Sequence, residues 1–193
     1  MRPTVSIPKH IAVAAVAAVT VAVAGLAVAG PALARQSHPA SVASSRALPG
    51  CQSAGIDDWI DTHGDGTAGT IFYHLKFTNL SGHACTLQGF PFVFAVNLSG
   101  HQIGNDAVFN HAFPANPVTV GNGKTIHAVL GIVETGNFRA SACKPVTAAG
   151  LKVFATTGIN EVGRIVPFPF SACSTHGAHT PNSLNVTPVH SGA

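Results

Sequence analysis

The sequence predicts an all-β domain, an antiparallel Ig-like β-sandwich of about seven or eight short strands stapled by disulfides. Three observations carry that expectation. Short apolar stretches alternate with period two, Gly-rich turns separate them, and no segment after residue 50 holds a helical stripe longer than two turns. Four cysteines, Cys51, Cys85, Cys143 and Cys173, are spread through the same region. A small β-barrel is the second architecture compatible with this pattern.

The first strand is the clearest. Ile71, Tyr73, Leu75 and Phe77 alternate with Phe72, His74, Lys76 and Thr78, giving one apolar and one mainly polar face. Asn79-Leu80-Ser81-Gly82-His83 then turns the chain, and the same pentapeptide recurs at Asn97 to His101 after the run Phe92 to Val96. Two Ser-Gly turns that follow apolar runs fit strand ends in a meander. Val118 to Val120 faces Thr125 to Val133 across Gly121-Asn122-Gly123-Lys124, and Asn-Gly favours a tight hairpin there. Leu151 to Thr156, Val162 to Phe168 and Leu184 to Val189 supply further strands. Pro167 and Pro169 mark an edge or a strand end, because proline donates nothing to a ladder. Ala140 to Ala149 suits one short helical turn.

The segment before this domain has a different character. Residues 1–34 read as a secretory signal peptide: Arg2 and Lys9 without an acid, an uncharged run from Ile11 to Ala29, then Ala32 and Ala34 at the −3 and −1 positions. Cleavage is expected after Ala34. A retained anchor is the alternative, since nineteen apolar residues just span a bilayer. Residues 35–50 read as a disordered Ser/Ala/Pro-rich linker, and 51–190 as a single β-sandwich domain. No twin-arginine pair is present, and Cys51 lies too far from the apolar run to be lipidated.

Charge narrows the function classes. Only 9% of residues are charged, and the formal net charge of +3 falls to +1 once Arg2 and Lys9 are removed. Nucleic-acid binding by bulk charge and a polybasic membrane module are thereby excluded.

An exported chain meets an oxidising compartment, so the four cysteines are expected to pair. Three pairings are possible. The separations of 34 and 30 residues suggest Cys51 with Cys85 and Cys143 with Cys173. No two cysteines stand two to four residues apart, so neither a zinc ribbon nor a CxxC redox motif is present.

The run Phe77-Thr78-Asn79-Leu80-Ser81-Gly82, followed by Cys85-Thr86-Leu87-Gln88-Gly89-Phe90-Pro91, resembles the core signature of domain-of-unknown-function family 4232. That family occurs mainly in secreted proteins and lipoproteins of actinobacteria. The resemblance continues through Cys143, Thr147 to Val153 and Ser171-Ala172-Cys173, and so spans about Cys51 to Val189. It implies export, paired cysteines and a β-sandwich-like domain, and it brings no activity, ligand or catalytic residue. His83 and His101 depart from it, standing in turns where such domains more often carry small or acidic residues.

Candidate sites are sparse. His176, His179 and His190 are the nearest to a metal set, but the first two lie in a loop with no helix to aim their rings. Asp61-Thr62-His63-Gly64-Asp65-Gly66 resembles the start of a calcium loop, yet Phe72 stands where an EF-hand needs its bidentate Glu; Asp57 and Asp58 precede it. No Gly-x-Ser-x-Gly element occurs in the domain, and Glu134 and Glu161 are the only Glu residues. Phe90 to Phe94 and Phe168 to Phe170 are expected to pack the core. The expectation is therefore a non-catalytic extracytoplasmic domain with no cofactor, metal or catalytic residue and no membrane span after cleavage. It would bind an envelope or extracellular protein, glycan or lipid. A secreted hydrolase assembled only in three dimensions, or a weak metal binder using the His-rich loops, is the alternative.

Overall fold

The alternation at residues 71–78 forms the longest strand of the large sheet. In a computed structural model that describes residues 47–155 and 162–192, this strand, β3, spans Thr70–Asn79. It lies between β1 (Ile56–Ile60) and β9 (Thr125–Val133), antiparallel to both. Beyond β9 the sheet continues through β12 (Leu184–Val186) to β7 (Val108–Phe109), and β2 (Asp65–Thr67) pairs with the start of β3. The β12–β7 pair is parallel, an exception in a sheet otherwise built from antiparallel pairs.

The second sheet runs in the order β11 (Arg164–Cys173), β10 (Pro145–Phe154), β5 (Phe92–Val96) and β6 (Gln102–Ile103). A third, small sheet pairs β4 (Cys85–Leu87) with β8 (Val118–Val120). A one-turn helix, Ala140–Cys143, precedes β10. The twelve strands among the described residues exceed the seven or eight expected because β2, β4, β6 and β7 are two or three residues long, too short to show a period. Among the described residues no sheet closes into a barrel. The expected signal segment, 1–34, and linker residues 35–46 lie outside the described residues.

Alternation decides which side chains meet between the sheets. Leu75 and Phe77 of β3, Ala128 and Leu130 of β9, and Val186 of β12 are fully buried from one side. Val93 and Ala95 of β5, Leu151 and Val153 of β10, and Val166 of β11 enter the same core from the other. Phe168 and Phe170 also pack against it, the former edge-on to Tyr73 at 4.8 Å. Phe92 and Phe94 do not. Val93 and Ala95 take the inward positions of β5, so the two phenylalanines are half-buried on the outer face, where they cluster with Phe154 at 5.7–6.2 Å.

Cys51 is bonded to Cys85, and Cys143 to Cys173. The first bond ties the segment before β1 to β4, and the second closes the open end of the β10–β11 hairpin, where Pro145 faces Cys173.

The expected hairpin between residues 118–120 and 125–133 does not form. β8 pairs with β4, while β9 pairs with β3 and β12. Lys124 N–H still donates to Gly121 O, but only Gly123 has positive φ (+71°), whereas a type I′ hairpin turn needs it at Asn122 as well. Asn79 explains the change. It is fully buried, and its side-chain amide donates to Val120 O and His83 O at 2.8 Å each. Its Oδ1 accepts from Ser81 N and Ser81 Oγ, and its own N–H bonds Lys124 O. One side chain thus fastens both turns and sends the chain from the small sheet into the large one.

The repeated pentapeptide serves two purposes. At Asn97 it closes a true hairpin, because β5 pairs with β6 directly across it, and its Oδ1 accepts from Ser99 N–H in the exposed turn. At Asn79 the same five residues lead away from their strand to another sheet.

Candidate functional site

The loop between β7 and β8 carries Phe113, Pro114, Asn116 and Pro117, none of which belongs to a strand. Two prolines in four residues deny this stretch the donors of a ladder, so it stands off the sheet as a rim. Opposite runs the segment after β12. Thr187 N–H donates to Val129 O at 3.0 Å, and Val189 N–H to Gly89 O at 2.9 Å, which holds Pro188 and Val189 in place. Between rim and segment lies a cleft of about 640 Å³, lined on those two sides and floored by Val118, Thr119 and Val129. Its size falls in the range of small-molecule sites. Among the described residues, His190 is its one titratable lining group, and no Asp, Glu, Lys or Arg lines it. Phe113 is 53% exposed, an aromatic ring held partly in water at the mouth.

Behind that wall sits a group with no local signal in the sequence. His127 of β9 is 4% exposed; His74 of β3 and His190 flank it with ring centroids 4.5 and 4.0 Å away. These residues are separated by 53 and 63 positions, and only strand register brings them together. His190 is joined to His127 by an antiparallel bridge, N–H to O in both directions at 3.2 and 2.8 Å. Burial, then the neighbouring His190, His74 and Lys76, pull the His127 pKa from 6.5 down to about 4, opposed by a contact with the Gly192 backbone.

The histidines singled out from the sequence lie apart. His176 donates from Nδ1 to Gly104 O at 2.9 Å and lines a shallow polar cleft with Asn105, Asp106 and Asn182. The following loop is clamped by Asn105, whose amide bonds Gly177 N and Thr180 Oγ1; His179 is exposed there. His190 belongs to the other cluster, so His176, His179 and His190 do not converge. His83 and His101 end the two pentapeptide turns, and the His83 ring bonds Ser81 O.

The acidic segment is also used locally. Asp61 Oδ1 accepts from His63 N–H at 3.1 Å and from its ring at 3.2 Å, and these bonds lower the Asp61 pKa. Asp65 opens β2 opposite Phe72. Among the described residues no group of three or more His, Cys, Asp or Glu side chains is placed to hold a metal ion.

A disulfide-stapled, open β-sandwich with an apolar, nearly charge-free cleft defines a class of domain without naming a ligand. The chain belongs to the family described as Domain of unknown function (DUF4232), whose model matches residues 51–190. No match is found among curated proteins or among solved structures.

Proposed function

We propose that the chain is an exported, non-catalytic binding domain acting at the cell envelope or outside the cell. Its cleft takes a small, uncharged, largely apolar ligand or the apolar end of a lipid or protein partner. The observation that carries this reading is the cleft of about 640 Å³ lined by Phe113, three prolines and three valines, with no carboxylate or ammonium from the described residues on its walls. Burying apolar surface there yields roughly 25 cal/mol per Å², whereas a charged ligand would find no partner for its charge. Export is supported by the two disulfides and by the charged-apolar-small order of residues 1–34. N-terminal sequencing of the protein recovered from culture medium should begin at Arg35; a chain beginning at Met1 would refute cleavage.

The neutral fluorescent probe N-phenyl-1-naphthylamine tests the cleft. Saturable binding at one site is expected, and Phe113→Ser should weaken it by about 10-fold, equivalent to ~1.4 kcal/mol. Leu98→Ser, at a fully exposed turn, should leave it unchanged. Absence of saturable binding, or turnover on a hydrolase substrate panel, would overturn this function.

A further inference from the structure

His127 is enclosed from three directions, and the titratable groups that act on it among the described residues are all basic. Lys76 lies directly opposite it on β3, His74 lies two residues before Lys76, and His190 reaches it from the terminal segment. An acid beside this group, Asp61 at the end of β1, bonds His74 O through its N–H and holds its carboxylate on His63, with a weaker attraction to Lys76. The His127 Nδ1 is buried and has no hydrogen-bond partner. A proton added to this ring would therefore be desolvated among basic groups that repel it, with the Gly192 backbone only partly offsetting this. The segment that covers the ring is also the wall of the cleft: Pro188, Val189, His190 and Ser191 line it.

We propose that His74, His127 and His190 form a proton-operated latch, closed while His127 is neutral and released when it is protonated. Release frees Pro188 to Gly192 from β9 and from Gly89. The hinge is Thr187, which keeps its two bonds to Val129, from its N–H to the carbonyl and from Val129 N–H to Oγ1. The cleft consequence, weaker ligand binding in acid, rests on the function proposed above, whereas the latch does not.

The sign follows from linkage. With the segment released, the imidazole accepts a proton near its ordinary pKa of 6.5; with the segment closed, it does so only near 4. Opening is thus favoured progressively as pH falls from about 6.5 toward 4, and the effect levels off below that. At pH 5 the released population should be about 30-fold above its value at pH 7.5.

Amide hydrogen exchange on the oxidised full chain, corrected for intrinsic rates, reads this directly. Protection of the His190 and Val189 amides should fall about 30-fold from pH 7.5 to pH 5, while that of the Thr187 amide holds. His127→Gln should remove the pH dependence. If that variant fails to fold, the wild-type His127 ring proton signals decide, titrating well below pH 6 with a latch and near 6.5 without one. Protection independent of pH in the wild type, or the same fall in His127→Gln, would overturn the latch. Failure of N-phenyl-1-naphthylamine to bind at pH 7.5 would count against the cleft alone, and the exchange data would still decide the latch.

Discussion

Reduction of both disulfides is expected to unfold the domain at physiological temperature. Each bond closes a loop of 34 or 30 residues, and the chain-entropy argument assigns roughly 3.5–4 kcal/mol to each. Together they contribute about 7 kcal/mol, within the whole net stability of an ordinary domain, about 5–15 kcal/mol. Circular dichroism and a denaturant titration of the reduced, alkylated chain would measure this. The double variant Cys143→Ala, Cys173→Ala should lose about half as much, and a reduced chain of unchanged midpoint would contradict the estimate. Both residues are buried, so the alanines also leave apolar contacts unfilled.

Asn79→Ala should cost about 3 kcal/mol, while Asn97→Ala, at the same position of an identical pentapeptide, should cost below about 1 kcal/mol. The difference lies in what each amide serves. Asn79 is buried and bonds the carbonyls of Val120 and His83; its loss strands the Val120 carbonyl away from water, whereas His83 O keeps the Ser81 hydroxyl. Asn97 is exposed, and water replaces its bonds to Ser99 and His101. Urea midpoints of the two variants test the contrast, and equal losses would refute the assignment of Asn79 as the fastener between sheets.

Asn79 also shows where the sequence could be read and where it could not. β3 was legible because burial follows every second residue toward its end, and β9 because it is apolar along most of its length. β10 and β11 were legible only over 151–154 and 164–168, and the start of β10 reads as part of a helical turn. The partner of a strand was not. Asn122-Gly123 states a local preference for a hairpin, but the decision belonged to a side chain more than forty residues earlier. Phe92 and Phe94 pose a related problem. When both faces of a strand are apolar, period two separates them without saying which one is inward. Val93 and Ala95 enter the core between the sheets, and the rings were left outside.

The candidate site was less legible still. Its cleft is shaped by Pro114, Pro117 and Pro188, residues that signal irregular backbone and nothing about its distance from other irregular backbone. The histidine cluster depends on β3–β9 register and on a bridge at residue 190. By contrast, His176 and His179 advertised themselves through spacing alone, and the loop that carries them folds toward Asn105.

The placement of the disulfides has a mechanical consequence. A load applied between residues 47 and 192 enters at Cys51 and crosses directly to Cys85, so the backbone of β1, β2 and β3 lies outside the line of force. It later crosses from Cys143 to Cys173, bypassing β10 and most of β11. Nearly half of residues 51–190 are thus shunted, and the length the domain can pay out under tension is about half that of its unbridged chain. Neither bond joins the large sheet to the four-stranded one, so the seam between them, filled by Phe77, Leu130, Leu151 and Val153, resists shear by packing and by bonds such as Ala107 N–H to Val93 O, with no covalent tie. Under stretch the domain would yield at that seam and then stop short, held at the limit its two closed loops allow.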